Sequence, residues 1–158
     1  MILYHGSNMA VEKPRLMPVK RLLDFGTAFY LTSDFEQARK WSEHAVRIRE
    51  TGIATVSVFE FDSACLTNLR LLKFDSPDHP WLRFVAANRT GKPVNDDYDL
   101  IIGPVANDQS IRTVNDYLKG YFSEDIAIQL LLPQKLKDQY AFKTEVALAC
   151  LQFKEALQ

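Results

Sequence analysis

At Gly52 the spacing of apolar residues changes from helical to extended. Before it, Phe35, Ala38, Trp41, Ala45 and Ile48 recur every three or four residues, the repeat of one face of a helix. Ser33-Asp34-Phe35-Glu36 has the form of a capping box, with Ser33 accepting from the backbone N–H of Glu36 and Glu36 reaching back. After it, residues 53–61 are β-branched and aromatic, with Val56 and Val58 alternating one way and Phe59 and Phe61 the other. That slip in phase predicts a β-bulge. The pattern therefore predicts a helix over 34–50 and a strand over 53–61, which excludes both an all-helical and an all-β chain.

The remaining segments mix the two periods without strict alternation. A strand is predicted over 69–74, a helix over 77–89 closed by Gly91, and a buried strand over 98–105 that Gly103-Pro104 ends or kinks. Helices follow over 109–118 and 124–131, the second stopped by Pro133. A short strand over 139–143 and a helix beginning at Thr144 close the chain. This order does not build a doubly wound parallel sheet, and the fold class it predicts is α+β. With 158 residues, 47% of them hydrophobic, and no repeat or linker, the chain reads as a single domain over 1–158.

Composition excludes several function classes. Nineteen basic residues stand against 20 acidic ones, so no global field draws the chain to nucleic acid or an anionic membrane. Three histidines and two cysteines lie far apart without metal-ligand spacing, and no metal site is expected. No basic leader and no run of ~18 apolar residues is present. Cys65 and Cys150 read as reduced thiols, and the expected compartment is the cytoplasm, with no membrane partner.

Three segments carry the chemistry: LYHGS at 3–7, FGTAFYLT at 25–32 and DQYAFKTE at 138–145. Together, in this order, they resemble the ADP-ribosyltransferases of the diphtheria-toxin and poly-ADP-ribose-polymerase branch, whose signature is a histidine, a tyrosine and a glutamate on three strands. Within that superfamily the chain resembles the small bacterial family known as domain of unknown function 3990, over nearly its whole length. The resemblance implies a split fold of two sheets with surrounding helices, and a reaction consuming NAD without metal.

It also implies roles. His5 would hydrogen-bond a ribose of NAD while the Gly6 backbone brackets the nicotinamide amide, a glycine letting the main chain approach closely. A plain turn histidine is the bland alternative for His5. Tyr30 would stack on the nicotinamide, and Trp41, eleven positions on, would close an aromatic clamp suited to an electron-poor ring, although Trp41 equally fits the apolar face of its helix as core. Ala28 replaces the family's second glycine, and Ala38 stands where the polymerases have an amide-binding serine. The position of the catalytic glutamate is Gln139, which accepts a hydrogen bond but carries no charge and takes no proton. Glu145, six strand residues away, would lie about 20 Å off.

The catalytic set is thus His5, Tyr30 and Gln139, and the NAD-binding set His5, Gly6, Tyr30 and Trp41. The expected activity is mono-ADP-ribosyl transfer from NAD to an unidentified acceptor, toxin-like and open to a neutralising partner protein. The alternatives are an NAD glycohydrolase, a catalytically silent NAD or ADP-ribose-binding module, and an interaction domain that would leave the three segments dispersed in space. Asp99 and Asp108 read as caps or solvated residues, and Lys20, Arg21 and Asp24 as a solvated charge run, with a loop meeting the NAD diphosphate as the alternative.

Overall fold

The computed structural model describes residues 1–106 and 110–158. Its strands are β1 (Ile2–Ser7), β2 (Phe29–Thr32), β3 (Thr55–Phe61), β4 (Leu71–Lys73), β5 (Leu100–Pro104), β6 (Asp138–Phe142) and β7 (Leu151–Leu157). Its helices are α1 (Phe35–Arg49), α2 (His79–Arg89), α3 (Ser110–Leu118), α4 (Glu124–Leu131) and α5 (Glu145–Leu148). The predicted strand at 98–105 and helix at 77–89 are present as β5 and α2, and Gln109, predicted to start a helix, lies outside the described residues along with Asp108.

The strands form one open sheet in the order β4-β5-β6-β2-β1-β3-β7. Among the described residues only β4 and β5 run parallel, so the mixed, largely antiparallel character expected of an α+β chain holds. The two sheets expected from the resemblance are joined: a single ladder position, Tyr4 opposite Thr32, connects β1 to β2 and makes one sheet of two halves. The phase slip read at Val58-Phe59 is a register shift in the pairing of β3 with β7.

Alternation along each strand sends neighbours to opposite faces. Ala28, Ile101 and Ala141 pack with Phe25, Trp81, Val85 and the helices α2 to α4 on one face. Leu3, Phe29, Leu31, Phe59 and Phe142 form a second core on the other, with Ala147 and Leu148 of α5. Trp81, although fully buried, satisfies its indole N–H at the Pro104 carbonyl, 2.9 Å away.

Helix α1 differs from its prediction in two details. Its N-cap is Asp34, whose carboxylate accepts from Gln37 N at 2.9 Å, because the Thr32 hydroxyl at the end of β2 accepts from Asp34 N at 3.1 Å and sets the entry one residue later than Ser33. Its buried residues are Ala38 and Ser42, not Trp41 or Ile48, which are exposed. The cause lies under the helix: a Cβ on Gly6 would sit 2.0 Å from the Ala38 carbonyl oxygen and 2.8 Å from Ser42 N. Strand and helix meet backbone to backbone, and only small residues fit there.

The end of the chain also departs from expectation. Thr144 caps a helix as predicted, but α5 lasts one turn before β7 pairs with β3 along its length. The alternation of Leu151, Phe153 and Leu157 with Gln152 and Lys154 was the overlooked strand signal. This pairing brings Cys150 to Cys65, and the two form a disulfide with Cα atoms 6.2 Å apart. The expectation of two reduced thiols is thereby corrected; cysteines separated by 85 residues carry no local spacing that reveals their pairing. Among the described residues, no helix is long and apolar enough to cross a membrane.

Candidate functional site

The three sequence segments lie on β1, β2 and β6, adjacent at the centre of the sheet. Gln139 stands opposite Thr32, and Thr32 opposite Tyr4, in one row across the three strands. Directly paired residues share a face, so Gln139, Thr32 and Tyr4 lie together, with Tyr30 two residues along β2 on the same side. Gly6 is on this side too, beneath α1.

His5 is not. Its ring stacks on Phe29 with centroids 4.4 Å apart, on the face of the second core. The alternation of β1 demands this: Leu3 is fully buried on that face and Tyr4 meets Phe35 of α1 on the other, so His5 follows Leu3. The backbone nevertheless links His5 to Tyr30, because Nδ1 donates to the Tyr30 carbonyl oxygen at 2.8 Å. That bond places the ring proton on Nδ1 and leaves Nε2 as an acceptor. Burial holds the His5 pKa below its ordinary value against the raising effect of the carbonyl, and Arg49 lowers it further.

Tyr30 is turned inward. Its hydroxyl donates to the Gly26 carbonyl at 2.6 Å and accepts from Phe25 N at 3.2 Å. Burial and, second, the Asp24 carboxylate push its pKa far above the normal phenol value, so it stays protonated. What Tyr30 offers a ligand is its ring. Trp41 is 49% exposed and, among the described residues, its one ring contact is the edge of His44, 5.5 Å between centroids. The reading of Trp41 as core is therefore excluded, and its indole is free on the surface of α1.

Asp24 is the residue the sequence reading missed. Taken there as part of a solvated charge run, it is 4% exposed and joins four segments. Arg89 at the end of α2 donates from Nε and Nη2 to its Oδ1, each at 2.6 Å. Ala106 N donates to Oδ2 at 3.1 Å, and Gln139 Nε2 to the same oxygen at 3.4 Å. No local signal in the sequence distinguishes Asp24 from its exposed neighbours Lys20 and Arg21, since its partners lie 65, 82 and 115 residues away. Asp99 is likewise no solvated cap: Arg70 donates to it from its backbone N and guanidinium, and Thr144 from its hydroxyl at 2.9 Å. Glu145 is exposed at the start of α5, outside the row that holds Gln139.

Two surface cavities lie away from these residues. One of about 410 Å³ is lined by Met1, Phe61, Cys65 and Cys150 beside the disulfide. Another of about 170 Å³ lies between α1 and the end of β7. Among the described residues no group of His, Cys, Asp and Glu is placed to hold a metal ion.

The family model described as "Protein of unknown function (DUF3990)" matches residues 1–153, and the chain belongs to that family. No curated protein and no solved structure matches it.

Proposed function

We propose that this member of the DUF3990 family is an NAD-dependent mono-ADP-ribosyltransferase whose site spans the joint between β1 and β2. One observation carries the reading: segments 3–7, 25–32 and 138–145, remote in sequence, supply three neighbouring strands at the centre of the sheet, as the resemblance to the diphtheria-toxin and polymerase branch requires.

In this reading NAD docks at the rim of the row Tyr4-Thr32-Gln139, of which Thr32 and Gln139 are buried. The bond between the nicotinamide nitrogen and ribose C1′ breaks, nicotinamide leaves with the bonding pair and loses its pyridinium charge, and an acceptor attacks C1′. The Tyr30 ring stacks on the nicotinamide, and the exposed Trp41 closes on it from α1 when NAD binds. The Gly6 backbone meets the amide, and His5, whose ring lies on the opposite face, acts on the site only through its Nδ1 bond to the Tyr30 carbonyl. Gln139 orients the reacting ribose through Oε1. Its lack of charge limits stabilisation of the cationic ribose and favours a second reading, a binding module that holds NAD without cleaving it. Water in place of the acceptor would make the protein an NAD glycohydrolase.

The acceptor is an unidentified macromolecule or small molecule, a neutralising partner protein is part of the toxin-like proposal, and the setting proposed is the cytoplasm. There the Cys65–Cys150 bond would meet reducing thiol systems. The test is incubation with NAD labelled in the adenylate and a whole-cell lysate, with nicotinamide release followed in parallel. Label on a macromolecule supports the transferase; nicotinamide release without label supports the hydrolase. A rise in melting temperature with neither supports the silent module. If millimolar NAD leaves the melting curve and the amide NMR spectrum unchanged, the NAD site is refuted.

A further inference from the structure

We infer that Asp24 is a positioning residue for Gln139: its buried carboxylate selects the amide orientation that keeps Nε2 on Asp24 and turns Oε1 away from it, toward the Tyr4-Thr32 side of the row. The catalytic consequence rests on the NAD reading above; the orientation itself does not.

A glutamine amide is nearly symmetric in shape and opposite in chemistry at its two ends. Rotation by half a turn exchanges an acceptor for a donor at no steric cost, so a site that needs an acceptor must select it. An ionised carboxylate only accepts. Asp24 Oδ2, 3.4 Å from Gln139 Nε2, therefore tolerates the nitrogen and repels the oxygen. Asp24 cannot turn away, because Arg89 holds Oδ1 from α2 and Ala106 N holds Oδ2. With Gln139 itself only 7% exposed, no bulk water competes for the selection.

The same geometry governs what a glutamate would do in this place. The carboxyl introduced by Gln139→Glu would face the Asp24 carboxylate at hydrogen-bonding distance. Two carboxylates sharing a site do not both ionise near neutral pH, and the pair takes up a proton. Gln139 and Asp24 are thus matched: the neutral amide is the side chain that carries an acceptor into the row without repelling the carboxylate behind it. The other charged and titratable groups around this pair include Arg89 from α2, Tyr30 from β2 with Arg21 and Asp96 near its hydroxyl, Lys143 just after β6, whose Nζ reaches the Phe25 carbonyl and Asp96, and Asp138, next to Gln139 on β6. Asp138 alternates to the opposite side of the strand, toward Lys73 and Asp75. All of them remain when Asp24 alone is changed, so a difference between backgrounds with and without Asp24 isolates it.

The experiment has three arms. In the unmodified protein, the Gln139 side-chain amide protons and the Ala106 amide proton converge on one oxygen, within about 4.5 Å of each other, and an NMR cross-relaxation peak between them is expected. Its absence, with both resonances assigned, overturns the orientation. In the second arm the introduced carboxyl is titrated by carbon-13 NMR in Gln139→Glu and in Gln139→Glu combined with Asp24→Asn. It should titrate at least one unit above an ordinary glutamate of ~4.3 in the first and fall by a unit or more in the second; equal titration in the two overturns the proposal. If either variant fails to fold, the first arm decides alone. The third arm measures kcat and KM for nicotinamide release. Asp24→Asn should lower kcat about tenfold beside Gln139 with little change in KM, yet raise it beside the introduced glutamate, a reversal that a purely structural carboxylate would not produce. Loss of kcat in both backgrounds overturns the positioning role. Should no variant release nicotinamide while the first two arms come out as expected, the NAD-cleavage reading fails and the positioning of Gln139 by Asp24 stands.

Discussion

Gly6→Ala tests the contact on which the central part of the fold depends. The added Cβ would lie 2.0 Å from the Ala38 carbonyl oxygen and 2.8 Å from Ser42 N, whereas carbon and oxygen in the closest ordinary contacts stay about 3.3 Å apart. Helix α1 would have to withdraw by more than about 1 Å at Ala38. Both obstacles are main chain, so no rotamer change relieves them. Overpacking of a core costs about 1–3 kcal/mol when side chains can yield, and here about 3 kcal/mol or more is expected. For a protein of this size that lowers Tm by roughly 6–12 °C. The assay is urea unfolding followed by circular dichroism, with the midpoint falling at unchanged slope. Gly120→Ala is the control: its φ of +79° carries left-handed strain, but nothing lies within 4 Å of the new Cβ, and about 1–2 kcal/mol is expected. If Gly6→Ala costs no more than Gly120→Ala, the close packing of α1 on β1 is refuted. If it leaves stability intact and removes only NAD binding, Gly6 serves the ligand alone.

His5 should make the protein acid-sensitive in a defined window. Its folded pKa lies below the unfolded value of ~6.5, so stability is level above that pH and falls below it, by up to ~1.4 kcal/mol per pH unit until the folded pKa is reached. Urea midpoints from pH 7.5 to 5 should trace this slope and His5→Gln should flatten it; an unchanged slope in the variant contradicts the buried neutral imidazole. Closing a separation of 85 residues, the Cys65–Cys150 bond should contribute roughly 2–5 kcal/mol. Reductant should lower the urea midpoint accordingly, and the appearance of two reactive thiols in unreduced, denatured protein would refute the bond. Asp99, whose carboxyl Arg70 holds well below the usual range, contributes stability that is present above ~pH 3.9 and lost as acid protonates it. Asp99→Asn should therefore destabilise at pH 6 and remove part of the slope below pH 4, and a superimposable acid-unfolding curve would show Asp99 to be dispensable.

What could be read from the residues was what neighbours in the chain decide among themselves. The 3.6 period over 34–50, the extended run after Gly52 and the phase slip at Val58-Phe59 each express backbone preferences within a few residues, and α1, β3 and the shift in register answer to them. The convergence of β1, β2 and β6 had no local signal: the spacing of the three segments alone does not specify adjacency.

Tertiary structure decided wherever two local choices were equally good. Ser33 and Asp34 are both competent caps, and the Thr32 hydroxyl at the end of β2 chose Asp34. Ala38 and Trp41 both lie on the apolar side of α1, and the missing side chain of Gly6 chose Ala38 as the buried one. The direction of the His5 ring depends on Leu3 being core, which only the pairing of β1 with β3 establishes. Asp24, as polar as its exposed neighbours, is buried because Arg89, Ala106 and Gln139 converge on it from three other segments. Propensity and periodicity act over one or two turns of chain, whereas burial and the pairing of charges and thiols depend on which distant segments arrive opposite, and that is a property of the assembled sheet.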